Sequence, residues 1–198
     1  MACARLSVST LSLGVNVEYP WISFVDRQLV GPSLLRWLLL KTSMTEALEK
    51  HFEKSLRITR LQDNFGKAEV EELVALECAA YQQCYIRETL LSVGEENPCI
   101  YAKLVCPVSG GLAFIGKLQQ LGDRSLATLL LKGAPLERSR FEFAKFNHDW
   151  FLKRELRAVL VGNTQKNYWG RRSFITLGSA RFSLMEIFLK NFEAPPPY

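Results

Sequence analysis

The sequence predicts an α+β domain, a single antiparallel β-sheet with its helices grouped on one side. Three observations carry this. Residues 83–106 and 168–189 each read as two alternating strands joined at a Gly-containing turn. Residues 32–53 and 112–131 each carry apolar residues at helical spacing, interrupted by a tight turn. The order is then two helices, strands, two helices, strands, without the strict strand–helix alternation of a parallel sheet.

The chain has 198 residues, 48% hydrophobic and 23% charged, enough for one sizeable core and one domain. Its net charge of +5 is scattered, with short clusters at Lys153-Arg154 and Arg171-Arg172. A nucleic-acid groove shows a more continuous basic stripe with interleaved aromatics, so no nucleic-acid partner is expected. The mild excess suits a small anionic ligand. Five cysteines without a C-x-x-C and only two histidines argue against zinc and for a reduced, cytoplasmic setting. No apolar run approaches the roughly 20 residues of a membrane helix. There is no P-loop, no G-x-G-x-x-G and no arguable Ser–His–Asp set, so neither metal nor nucleotide chemistry is expected.

Residues 1–25 read as an N-terminal extension. The first 19 hold one Arg and no acid before Glu18, faintly like a transit peptide; a loosely packed tail is the preferred reading. Pro32 suits a first helical turn, and Leu34, Leu35, Trp37, Leu38 and Leu39 give a short apolar helix. Ser43-Met44-Thr45-Glu46 fits a capping box opening a second helix to about residue 53. Met44 there is either a solvent-facing first-turn residue or part of a helix end offering backbone N–H groups to an anion.

Residues 56–61 alternate as a strand, and residues 67–77 form an acid-rich surface helix. In the hairpin of residues 83–106, Arg87 shares a face with Tyr85, Thr89 and Leu91, while Lys103 shares one with Tyr101 and Val105. Arg87 is either half of a cross-strand salt bridge or a bidentate clamp for a carboxylate. Gly110-Gly111 reads as a flexible loop before a helix built on Leu112, Ile115, Leu118 and Leu121. Ser125 caps a further helix over residues 126–131, giving a second helix-turn-helix. Residues 140–145 alternate as a strand, and residues 149–161 read as a charged helix.

In the last hairpin Phe182, Leu184, Glu186 and Phe188 share one face, because strand side chains alternate. A buried carboxylate is costly unless it is paired, hydrogen-bonded or protonated. Glu186 is therefore either at a half-buried rim, reaching solvent or an arginine, or a functional acid.

Six blocks in order carry a family resemblance. They are Trp37-Leu38-Leu39-Leu40 with Ser43-Met44-Thr45; Arg87-Glu88 before Thr89-Leu90-Leu91; Pro107-Val108-Ser109; Trp169-Gly170-Arg171-Arg172-Ser173; Glu186 before Ile187-Phe188-Leu189; and the closing Pro197-Tyr198. The series resembles chorismate lyase from about residue 26 to residue 198, with residues 147–166 expected as an insertion.

The resemblance implies a six-stranded antiparallel sheet with two helix-turn-helix flaps over an internal pocket. It implies cleavage of chorismate to 4-hydroxybenzoate and pyruvate by a cofactor-independent monomer, in ubiquinone or related biosynthesis. It also implies site roles: Arg87 for the ring carboxylate, Glu186 for the ring hydroxyl, backbone N–H groups of Met44 and Leu126 from the flaps, and Lys103 as a second basic contact. Lysine lacks the arginine fork expected at that last place. The alternatives are a variant lyase making another hydroxybenzoate, or an effector-binding domain of the same fold without catalysis. The latter calls for an attached DNA-binding domain, which 25 unmatched residues do not supply.

Overall fold

The computed structural model describes residues 21–198 except 95–96, 131–135, 155, 157–158, 160–164, 191, 193–195 and 197–198. In chain order its elements are α1 (Pro32–Leu38), α2 (Met44–Phe52), β1 (Leu56–Lys67), α3 (Val70–Ala75), β2 (Gln83–Val93), β3 (Ile100–Pro107) and α4 (Val108–Gln119). They continue with α5 (Ala127–Leu130), β4 (Leu136–Arg138), β5 (Glu142–Asn147), α6 (His148–Lys153), β6 (Asn167–Leu177) and β7 (Ala180–Phe188).

The strands form one antiparallel sheet of order β1-β2-β3-β7-β6-β4, with β5 also pairing β6. Seven strands fill six positions, because β4 and β5 lie end to end along the same edge of β6: Arg138 faces Ile175, and Glu142 faces Arg172. The predicted α+β antiparallel architecture is thus present.

Period two separates the two faces of this sheet. One carries Arg87, Leu104, Leu184 and Glu186; the other carries Glu88, Lys103 and Met185. On the first face α1 and α2 bury Trp37, Leu38 and Leu48 against Leu91, Ile100 and Phe188. Further along, α4 buries Phe114, Ile115 and Leu118 against Leu104, Ile175 and Phe182. The four flap helices therefore lie on one side, as expected. The short α3 and α6 cover the other face, where Leu73 and Leu76 meet Ile86 and Val105, and Trp150 and Phe151 meet Tyr101 and Ile187.

Several details differ from the sequence reading. Strand β1 continues six residues past Leu61, across a bulge between Arg60 and Gln62. Gly110-Gly111 is packed rather than loose: Gly110 has φ +79°, and a Cβ there would lie 2.7 Å from the Ser179 carbonyl oxygen. Ser179 Oγ also donates to the Gly110 carbonyl at 2.8 Å. Residues 21–25 of the expected extension are integrated, since Ile22 bridges Phe143 and Trp21 packs edge-on to Phe146. The helix expected over 149–161 is observed as His148–Lys153, and part of its remainder lies outside the described residues. Within the expected insertion, Trp150 and Phe151 are core residues. Among the described residues no helix is long and apolar enough to cross a membrane.

Candidate active site

Between the two flaps the first sheet face bears polar groups. Arg87 comes from β2 and Glu186 from β7, two strands apart, each about 95% shielded from solvent. They line one small cavity of about 70 Å³ with Met44 and Thr45 from the first flap and Arg124, Ser125 and Leu126 from the second. Ile58, Thr89, Leu91, Ala102, Leu104 and Leu184 supply the mostly apolar floor. Four of the five residues singled out by sequence (Met44, Arg87, Leu126 and Glu186) are brought together here.

Lys103 is not among them. Register puts it beside Glu88 and Met185, on the face away from the cavity. Its Nζ lies 2.8 Å from Glu72 Oε1 of α3. Burial pulls the ammonium pKa down, but Glu72, with Glu69 and Glu88, outweighs that and raises it. Lys103 therefore serves a charge cluster on the far face, and its assignment to the ligand site is corrected: alternation turns it away.

Both polar ends of the cavity are built as ion pairs. Asp63 sits directly opposite Arg87 on β1, and Arg87 Nη1 donates to Asp63 Oδ2 at 2.6 Å. Arg87 Nη2 donates at 2.6 Å to the carbonyl of Gly122, in the turn of the second flap. Tyr85 donates to Asp63 Oδ1 at 2.7 Å and so fixes the acid. Burial lowers the Arg87 guanidinium pKa, and Asp63 opposes that pull. The salt bridge foreseen for Arg87 exists, and it leaves part of the five-donor guanidinium for a ligand.

At the other end Arg171, opposite Glu186 on β6, donates from Nε to Glu186 Oε2 at 2.6 Å. Arg171 Nη1 also reaches the carbonyls of Trp37, Leu38 and Leu40 at 3.3, 3.1 and 2.6 Å. Each buried charge is thus matched by a partner, which is what burial demands. Each arginine also tethers one flap to the sheet.

Asp63, Tyr85 and Arg171 had no assigned role in the sequence reading. Arg171 was findable, because counting outward from the Gly178-Ser179 turn places it opposite Glu186.

The flap ends are capped but keep free donors. Ser43 Oγ accepts from Glu46 N at 3.3 Å, and Ser125 Oγ accepts from Ala127 N at 3.2 Å. The N–H groups of Met44 and Leu126 precede the first intrahelical bonds, as helix starts require. The flaps meet through Thr45 Oγ1 and Ser125 Oγ, 2.7 Å apart. The arrangement sets guanidinium donors of Arg87 at one end of the cavity and the Glu186 carboxylate, an acceptor, at the other. Among the described residues no group of three or more His, Cys, Asp or Glu is arranged to hold a metal.

The chorismate lyase family profile matches residues 16–193. The curated relative "Probable chorismate pyruvate-lyase" from Pseudomonas aeruginosa is 28% identical over 171 residues, covering 85% of this chain and 90% of its own. A relative of the same name from Halorhodospira halophila is 30% identical over 160 residues, covering 80% and 82%. The solved structure of PhnF from Mycobacterium smegmatis aligns with a TM-score of 0.52 at 13% identity, over 79% of this chain and 68% of that one, a likeness of fold alone. With the profile spanning most of its length, the chain belongs to the chorismate lyase family of enzymes.

Proposed function

We propose that this protein cleaves chorismate to 4-hydroxybenzoate and pyruvate. The observation that carries the reading is the shielded cavity with Arg87 at one pole and Glu186 at the other, roofed by Met44 and Leu126. Arg87, with the flap N–H groups, binds the ring carboxylate, and Glu186 accepts a hydrogen bond from the ring hydroxyl. Loss of the ring C4 proton and rupture of the C3–O bond make the ring aromatic. The departing enolpyruvyl group takes a proton on its methylene carbon and becomes pyruvate. Atoms balance without oxidant or cofactor.

Aromatisation supplies the driving force, so the protein's part is to fix geometry and exclude water. The ion pair with Arg171 makes Glu186 an acceptor, which suits positioning. The cavity lies under the two flaps, whose parting for ligand exchange favours product release as the slow step. We assign the protein to the cytoplasm, as a monomer without a nucleic-acid partner, supplying 4-hydroxybenzoate to quinone or related aromatic biosynthesis.

The test is to add chorismate and quantify pyruvate and 4-hydroxybenzoate together, with and without EDTA. Equimolar products at an unchanged rate are expected. Binding without turnover would favour an effector-binding role, another hydroxybenzoate isomer would identify a variant lyase, and EDTA-sensitive activity would overturn the metal-free reading.

A further inference from the structure

The cavity provides for one carboxylate and one hydroxyl, but chorismate has a second carboxylate on its enolpyruvyl arm. Neither internal arginine is left for the arm: Arg87 serves Asp63 and the ring carboxylate, and Arg171 serves Glu186. Lys103 faces the other way. A second anionic group therefore calls for another cation near the arm.

Besides Arg87, the basic residues lining the cavity and the neighbouring cleft are Lys41, Arg124, Arg138 and Arg140; Lys41, Arg124 and Arg140 are exposed, and Arg138 is half-buried. With the ring carboxylate at Arg87 and the C4 hydroxyl at Glu186, the ether oxygen on C3 lies next to the Glu186 end. Arg124 stands at the opposite end, exposed, with Nε and Nη2 already donated to the carbonyls of Leu121 and Gln120. Arg138 stands at the Glu186 end. It lies on β4, and its Nε donates at 2.8 Å to Oγ of the fully buried Ser173. Ser173 is two residues from Arg171 on β6 and faces Leu184, which is two residues from Glu186 on β7.

Arg138 and Arg171 both lie over the Phe141 ring, 4.6 and 4.4 Å from its centroid. Burial lowers the Arg138 guanidinium pKa, Glu186 opposes this and Arg171 adds to it, so the three groups share one electrostatic environment. Arginine nonetheless stays charged.

The Arg138 Nη groups have no hydrogen-bond partner among the described residues, since its only bond is through Nε. Arg138 also lines an open cleft of about 830 Å³, bordered by Lys41, Thr42 and Ser43 of the first flap and by Ala127 and Leu130 of the second. It thus stands between the buried acid and the outside.

We propose that Arg138 binds the carboxylate of the enolpyruvyl arm, so that it distinguishes chorismate from the product, with the arm directed toward the open cleft. This rests on the reading of the cavity as a chorismate site. The product lacks that carboxylate, so Arg138 contributes to substrate affinity and not to product affinity.

The test compares steady-state kinetics on chorismate with the Kd for 4-hydroxybenzoate in wild type, Arg138→Ala, Arg138→Lys and Arg124→Ala. Removing a charge-assisted hydrogen bond from a half-buried site should lower kcat/KM by about 10- to 100-fold in Arg138→Ala. Product Kd should stay within about twofold. Arg138→Lys keeps the charge but loses the fork, and should show a smaller loss confined to chorismate; it carries the comparison if the alanine variant does not fold.

Unchanged chorismate kinetics, an equal loss for both ligands, or a chorismate-specific loss in Arg124→Ala instead would overturn the proposal. If wild type binds chorismate without releasing pyruvate, the lyase reading fails. The ratio of chorismate to 4-hydroxybenzoate affinity in Arg138→Ala then still decides the role of Arg138.

Discussion

Arg171 holds Glu186 at 2.6 Å and the end of the first flap with the same guanidinium. The acid at the pole of the cavity and the roof above it are therefore positioned by one side chain. In that pairing Glu186 is set to accept the hydroxyl bond rather than to supply a proton. Glu186→Gln preserves shape and one acceptor but cannot ionise. It should keep most of the single-turnover rate and bind 4-hydroxybenzoate nearly as well. A collapse of single-turnover rate with product affinity intact would assign Glu186 a proton-transfer role.

Arg87 is bound on one side by Asp63 and Tyr85 and on another by Gly122. Arg87→Lys keeps the charge but cannot bond a carboxylate, Asp63 and the flap carbonyl in one planar fork. It should lose about 100-fold in kcat/KM, and Arg87→Ala more, because the ligand carboxylate would then be buried without its partner. Asp63→Asn should weaken both substrate and product binding by about tenfold while kcat changes less. Near-normal catalysis in Arg87→Lys would make Arg87 a purely structural residue.

Thr45 and Ser125 latch two flaps that are 80 residues apart in sequence. Thr45→Val removes one hydroxyl at nearly constant volume, while Ser125 still caps Ala127. Stopped-flow displacement of 4-hydroxybenzoate should show release several-fold faster than wild type, with the chemical step unchanged. An unchanged release rate would mean that the flap contact does not govern opening.

Burial pushes the Cys84 thiol up to about 11 and the Cys106 thiol up to about 12. A folded-state pKa above the unfolded value of 9.0 means that the folded chain holds its proton longer. The associated stability is complete below the unfolded pKa and is lost as pH rises toward the folded one. The urea midpoint should therefore fall between pH 8 and pH 10, and it should fall less steeply in the Cys84→Ala/Cys106→Ala double variant. Parallel slopes in the two proteins would remove the thiols from the account.

The face shared by Phe182, Leu184, Glu186 and Phe188 was legible, because period two holds in an unbroken strand. The two flaps were legible from their helical spacing and from the Ser43 cap. Asp63 was not, because the bulge after Arg60 interrupts the alternation that marks a strand, and the acid lies beyond it. A three-residue strand such as β4 is too short to show any period, so Arg138 had no strand to be placed on. Lys103 could not be excluded from the site by sequence alone. The facing of one strand relative to its neighbour depends on the register across the 94–98 turn, and a one-residue shift exchanges the faces. The resemblance supplied Met44 and Leu126, whose contribution is through backbone N–H groups that no side-chain pattern can reveal.

A crystal structure of the complex with 4-hydroxybenzoate would show directly which end of the cavity takes the carboxylate. The ligand should lie in the cavity under the flaps, its carboxylate bonded to Arg87 and the N–H groups of Met44 and Leu126, and its hydroxyl donating to Glu186. Ligand found only in the open cleft beside Arg140, or lying in the cavity with its carboxylate at the Glu186 end, would contradict it.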